Sequence, residues 1–555
     1  MSLAHPSDPV KSERSLFLPI LCWLAGILVT FHPMLRSGFE HVPGWPSQDP
    51  RLVNFFLEHR WETLLSLLPP ERGFWSPPIF FPHEGVTTYS EPLIAVVPLY
   101  GVWRALGAPP LLAYELFVLA IWSLNYVAGC VLLRRSFRVG VPAAAVGAMV
   151  FAFASSRVAN MTKQQLVPHF FLALAVIALF EIFRDEPSES AAAKPPPAWG
   201  WTGVFFAAVT AQLYTAFYPF YFFGLAVVAA LAWGLVLPSF RAATLRGLRR
   251  NAAPLSVAGA LALVAAWPLA SRYLGAAGEV GLREYNSTKL TQWFSSFLMG
   301  PSNWLYGWAD RLPRFRPWSR STHANGLGAV TTIVAAIGLF RARSRRSVVV
   351  IVLVAATLLL LTLRVWGDWS LWPIVQTLAP GGGAIRAVAR IGTLLVFPAA
   401  IGVALFFEQQ AGRTPVMLLV LLAAFCLAEQ AHRELSFERT FYEWRTERIA
   451  REIDPGCASF FLVTTGGRED PDVHDDAMWV ALASGVPTIN GRSGNVPPGW
   501  DLEDAHVDSP EERASIEAAL DRWLARSGRT RADVCRIEID RTRERTDWRA
   551  RPGAG

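Results

Sequence analysis

The sequence predicts a polytopic α-helical membrane protein with a small α/β domain at its C-terminal end. Three observations lead there. Hydrophobic residues make up 52% of the 555 and charged ones 17%, a balance too apolar for an ordinary soluble protein. The apolar residues gather in runs near the ~20 residues that a bilayer-crossing helix needs. Many of the 22 Trp fall at the ends of those runs, where amphipathic rings suit the membrane interface. After about Cys457 the pattern changes to short strands and helices of mixed polarity.

Eleven runs read as spans: 16–31, 111–133, 141–154, 167–183, 202–216, 220–237, 252–273, 326–340, 348–363, 393–407 and 416–431. The first follows Lys11 and Arg14 like a signal peptide, but no small-residue cleavage site comes after it, so it reads as a retained helix. A cytoplasmic N-terminus puts Arg134, Arg135 and Arg138, then Arg241, Arg246, Arg249 and Arg250, then Arg341, Arg343, Arg345 and Arg346 on the inner side, as the positive-inside rule requires. The net charge of +7 is thereby a topology signal and needs no nucleic acid. The polar linker at 184–200 falls inside as well and reads as a flexible tether.

Four divisions follow. Residues 1–35 form a cytoplasmic N-terminus and the first span, and 36–110 an extracytoplasmic loop with interfacial helices. The bundle occupies 111–432, with extracytoplasmic loops at 275–322 and 364–392, and 433–555 form an extracytoplasmic α/β domain. In the first loop, Leu52, Phe55, Phe56, His59, Leu64, Leu65 and Leu68 recur near helical spacing, which predicts a helix with its apolar face among the headgroups. "PLIAVVPLYGVWRALG" from Pro92 is apolar but short and broken by proline, so it reads as half-embedded; a full span there would reverse every later loop. In the tail, "CASFFLVTT" and "VCRIEID" read as strands and "DDAMWVALAS" as a helix. "SPEERASIEAALDRWLA" is a second helix, with Ser509 as N-cap and Pro510 at its first position. The five cysteines show no metal or redox spacing; only Cys457 and Cys535 share the soluble tail, where a disulfide is available to them.

"SQDPRLVNFFLEHRWETL" from Ser47, "SPPIFFPHEGVTTYSEPL" from Ser76 and "FAFASSRVANMTKQQLVPHFFLALAVIAL" from Phe151 resemble stretches of the bacterial GT-C-fold membrane glycosyltransferases and their uncharacterised relatives. "LAPGGGAIRAVARIGTLL" and "GVPTINGRSGNVPPGW" extend the resemblance, in the same order, over most of the chain. Gln48 stands where the group has glycine, "FFP" where it has phenylalanine-tyrosine-proline, and Arg492 where it has tyrosine. The resemblance implies the GT-C fold in the bacterial inner membrane. It also implies inverting transfer of a sugar from a polyprenyl-phosphate carrier to a glycan, lipid or protein acceptor on the outer face.

Asp49 opens the loop helix, where a carboxylate also serves simply as a cap; the resemblance makes it the general base or a ligand of a divalent metal, with no other cofactor implied. Glu91 borders an apolar stretch, where ionisable groups are costly unless paired or functional, and is a second candidate acid/base. His83, Glu84 and Tyr89 share its Gly-containing loop and are candidates for sugar or acceptor binding. Arg157, Lys163, Gln165 and His169 lie at outer ends of spans. Headgroup contact explains their charge as well as substrate binding does. Arg386 and Arg390, four residues apart, suit the carrier phosphate because guanidinium groups bind phosphate bidentately. Asn490 belongs to the last matching stretch and is taken as substrate-binding. "PGGGAIR" lacks the Lys and Ser/Thr of a P-loop, and "VHDDA" reads as a helix start. Two alternatives stay open: a non-catalytic relative that binds or assembles lipid-linked glycans, and a transporter or lipid flippase.

Overall fold

The computed structural model describes residues 16–47, 49–65, 73–184, 197–281, 291–297, 303–308, 325–365, 369–433, 436–466, 472–542 and 544–549. Gln48 and most of the linker at 184–200 lie outside these. A helix lies at each of the eleven expected spans. Among the described residues, six helices are long and apolar enough to cross a membrane: Pro110–Phe137, Val141–Val158, Gln164–Ile182, Phe217–Val236, Ala252–Val280 and Val388–Gln410. The other five run for only 13 to 17 residues, roughly 20–26 Å at 1.5 Å per residue. The chain is a multi-pass membrane protein, and as expected the stretch after Pro92 is no span: it forms a nine-residue helix, Val97–Ala105.

Two boundaries differ from the sequence reading. The helix Ala252–Val280 runs past Tyr273, through Gly275 and Gly278, and ends only at Gly281, whose φ of 77° is in the left-handed region; it carries Glu279 into what was expected to be loop. The helix Asp49–Leu64 is not laid in headgroups, since every residue from Pro50 to Arg60 is buried. Several of its polar groups are held by protein. Glu58 is gripped by Arg104 at 2.8 Å and by the Tyr100 hydroxyl, and the Trp479 indole donates to Arg51 O at 3.2 Å. Hydrophobic periodicity reports a buried face without saying whether lipid or protein buries it.

The tail folds as expected. Strands Ser459–Thr465, His506–Val507 and Val534–Asp540 form one parallel sheet with the first in the centre. Ser509 and Glu512 close a capping box on the helix Pro510–Arg526, and Cys457 and Cys535 form a disulfide beside the paired strands. A second connection reaches the first loop, where His41–Pro43 pairs antiparallel with Ser436–Glu438.

The joint between the tail and the Asp49 helix is ionic and dry. Asp476, in the helix Val473–Ser484, takes Arg51 at 2.7 Å, Arg445 at 3.3 Å and Arg541. Glu544 takes Arg445 at 2.9 Å, Arg541 at 3.0 Å and Arg448. Burial pushes the Asp476 pKa up, but the Arg51, Arg445 and Arg541 guanidiniums outweigh it and hold the group well below the usual carboxylate range. Asp476→Ala leaves three buried arginines short of a counter-charge, which costs about 3–5 kcal/mol when a buried pair is broken on one side. The expected result is a lower melting temperature of the purified chain in detergent; an unchanged one would show that the joint is not structural.

Candidate functional site

Asp49 is the first residue of its helix, where the helix dipole favours a negative charge. Its side chain is 27% exposed. The Gln165 amide donates to Oδ2 at 2.9 Å, and Arg492 Nη1 lies 3.9 Å from Oδ1. Gln165 sits on a 3₁₀ turn, Gln164–Leu166, held in place by its neighbour: the Trp122 indole donates to Gln164 Oε1 at 3.1 Å, and Gln164 Nε2 donates to Met161 O at 2.7 Å. Arg492 is held by Asp475 in a two-point grip of 2.9 and 2.8 Å.

Around this carboxylate gathers a group of charges. The Phe217 N–H, at the start of a long helix, donates to Glu91 Oε2 at 2.7 Å. Burial lifts the Glu91 pKa to about 7; the Phe217 amide, Arg390 and Arg386 oppose the rise and Asp49 adds to it. Lys163 is lowered to about 8, by burial first and then by Arg390 and Arg386, against the pull of Asp49. Arg390 lies 4.3 Å over the Tyr218 ring. It occupies a 3₁₀ turn, Val388–Ile391, so Arg386 and Arg390 meet the site from a bent segment and not from one helix face as their spacing suggests. Asp49, Glu91, Lys163, Gln165, Arg386 and Arg390 thus share one neighbourhood, and Arg492 joins it.

His83 and Tyr89 form a second group with Glu279. His83 Nε2 lies 2.8 Å from the Tyr89 hydroxyl and 3.2 Å from Glu279 Oε1, and Tyr89 donates to Glu279 Oε2 at 3.1 Å. Burial and the Glu279 charge raise the Tyr89 pKa far enough to keep the phenol protonated. The loop is clamped to the tail: Phe80 and Phe81 N–H donate to Asn490 O at 3.1 Å and Thr488 O at 3.0 Å, and Thr488 N–H donates to Pro78 O at 3.0 Å. Gly491 and Gly494 are required by this approach, because a Cβ would stand 2.7 Å from the Phe80 ring and 2.5 Å from Tyr89 O respectively.

Three expected site residues are placed otherwise. Asn490 is fully buried and its amide is used up on Leu462, taking the N–H at 2.7 Å and donating to the carbonyl at 2.9 Å. Arg157 is 1% exposed, its Nη1 bonded to Val167 O at 3.0 Å and His169 Nδ1 at 2.6 Å, so it braces the bend between two spans from inside the fold. Glu84 stands exposed on its loop. The sequence reading missed Glu279, Asp475 and the role of Arg492. A lone arginine between the glycines of "NGRSG" and an aspartate pair opening a helix were the available signals.

A divalent cation finds no ready ligand set among the described residues. Among the described residues no three His, Cys, Asp or Glu side chains are grouped to hold a metal ion, and Arg492 and Lys163 bring positive charge to Asp49.

The raised Glu91 pKa has a consequence for stability. The unfolded chain gives up this proton near the ordinary value of 4.5 and the folded chain near 7. The folded state binds more protons between those values, so stability falls as pH rises across that interval. Melting temperatures measured from pH 5 to 7.5 are expected to fall for the wild type and to flatten for Glu91→Gln; identical profiles would remove Glu91 from this role.

No protein-family model matches the chain, and no curated protein matches it in sequence. Solved structures do. An Archaeoglobus fulgidus oligosaccharyltransferase, solved with zinc and sulfate, aligns at a TM-score of 0.51 and 11% identity, covering 91% of this chain and 66% of that one. The oligosaccharyltransferase AglB of the same organism, bound to an inhibitory peptide and a dolichol-phosphate, gives 0.49 and 12%, over 87% and 65%. ArnT from Cupriavidus metallidurans bound to undecaprenyl phosphate gives 0.32 and 13%, over 92% and 95%. This chain therefore spans just under two thirds of the length of the archaeal structures. At such identities the likeness speaks to architecture alone: the chain shares the fold, of GT-C type, of the first of these structures.

Proposed function

We propose that this protein transfers a sugar from a polyprenyl-phosphate carrier to an acceptor hydroxyl or amide, with inversion at the anomeric carbon. The observation that carries the reading is a part-exposed carboxylate, Asp49, facing a cationic group on a fold that lipid-dependent glycosyltransferases use. Asp49 takes the proton from the acceptor as the acceptor atom bonds to the anomeric carbon. The bond from that carbon to the phosphate oxygen breaks, and the oxygen keeps the electron pair. Arg386, Arg390 and Lys163 stabilise the leaving phosphate, since preorganised positive groups act most strongly where charge develops. Glu91, titrating near neutrality, can exchange a proton with that phosphate. His83 and Tyr89, with Glu279, shape the neighbouring wall for sugar or acceptor.

The disulfide supports an oxidising, extracytoplasmic setting for the tail, and the arginine-rich turns support a cytoplasmic N-terminus in a bacterial inner membrane.

One observation favours a second reading. Gln165 and Arg492 already engage Asp49, and take up oxygen lone pairs that a base would turn to the acceptor. This is what a binding or assembly protein for lipid-linked glycans would tolerate.

Membranes containing the wild type or Asp49→Asn, given radiolabelled polyprenyl-phosphate sugars, separate the two. Transfer is expected to drop about 10²–10⁴-fold in the variant, the range for loss of a general base; Arg386→Ala with Arg390→Ala should weaken use of the donor. Full activity in Asp49→Asn sinks the assignment, and retained carrier binding with no turnover by wild type moves it to the second reading.

A further inference from the structure

An apolar groove of about 430 Å³ opens among the helices, within the size range of small-molecule sites. Its walls come from five helices: the C-terminal half of Gln164–Ile182, most of Phe217–Val236, the start of Pro238–Arg250, Arg346–Thr362, and the start of Gly392–Gln410.

The two ends of the groove differ in chemistry. At one end are Leu394, a turn beyond Arg390, and Phe223, a turn beyond the Tyr218 that Arg390 covers. At the other are Thr244, Arg346 and Ser347, the three polar residues of the lining. Packing sets these three at one level. Arg345 donates to Phe137 O at 3.0 Å, the Phe137 and Phe180 rings lie 5.1 Å apart, and Gly247, one turn from Thr244, abuts Phe183. Arg346 is exposed and is the first residue of a 17-residue helix, so its guanidinium, the Ser347 hydroxyl and the unpaired N–H groups of that helix end all suit an anion. From Arg346 to Leu358 the wall is roughly 18 Å long at 1.5 Å per residue, close to one leaflet of a hydrocarbon core about 30 Å thick.

We propose that this groove binds an anionic phospholipid of the leaflet on the Arg346 side, with an acyl chain along Ala230, Val350 and Val354 and the phosphate at Arg346, Ser347 and Thr244. Basic pockets between membrane helices hold anionic headgroups by the same chemistry. The site is distinct from the charged group around Asp49, and it does not depend on the transfer reaction. A polyprenyl carrier with its phosphate at Arg390 would place its polar end opposite to the polar lining.

The test uses the full chain purified in detergent. Dioleoylphosphatidylglycerol is expected to raise the melting temperature, as a ligand of the folded state does, and to be retained in native mass spectra; dioleoylphosphatidylcholine is expected to do neither. The rise should be lost in Ala230→Trp, which fills the groove, and in Arg346→Glu, which reverses its charge, and kept in Arg343→Glu on the adjoining turn. Equal rises with both phospholipids, an undiminished rise in both groove variants, or displacement of the bound phosphatidylglycerol by undecaprenyl phosphate would overturn the proposal. Should Ala230→Trp fail to fold, Val350→Trp serves in its place.

Discussion

Asp476, buried and held ionised by three arginines, is the constraint on which the candidate site depends. One of its partners, Arg51, lies two residues from Asp49 on the same helix. The next residue back, Asp475, holds Arg492 against Asp49. Two adjacent carboxylates therefore do different work: one anchors the Asp49 helix to the tail, and the other aims a guanidinium at its first residue. A buried pair of this kind adds little net stability, but it is costly to break on one side, and that asymmetry suits a joint that must hold one geometry.

Tail and bundle thus form one unit around the site. The bundle brings Gln165, Lys163, Arg386 and Arg390; the tail brings Arg492 and the clamp on residues 78–81. The loop between them supplies Asp49, Glu91, His83 and Tyr89. Neither part alone surrounds the carboxylate.

Much of the architecture was legible in the sequence because it follows from local patterns. Apolar runs near 20 residues marked the helices, and Ser509 with Pro510 marked the start of the last long one. What stayed hidden depended on partners remote in sequence. Arg51, Glu58 and Arg60 looked like the wet face of an amphipathic helix, although each is buried. Glu279 was assigned to a loop because the apolar run ends before the helix does. Asn490 and Arg157 carried the polar side chains a site needs, yet both are buried and bonded inside the fold. The groove beside Arg346 could not be read at all, because it is the space left between five helices.

The joint between Trp479 and Arg51 links residues 428 apart in the chain. At ~5–20 residues per second, synthesis of that stretch takes roughly 20 to 90 seconds. Asp49 is made well before Asp475, Asp476 and Arg492, the tail residues that anchor its helix and face it. Until the tail has folded, the Asp49 helix lacks Asp476 as the counter-charge for Arg51 and lacks Arg492 beside its first residue. A chain interrupted before Asp475 would therefore carry Asp49 without Arg492 beside it and without the anchor that holds its helix at Arg51.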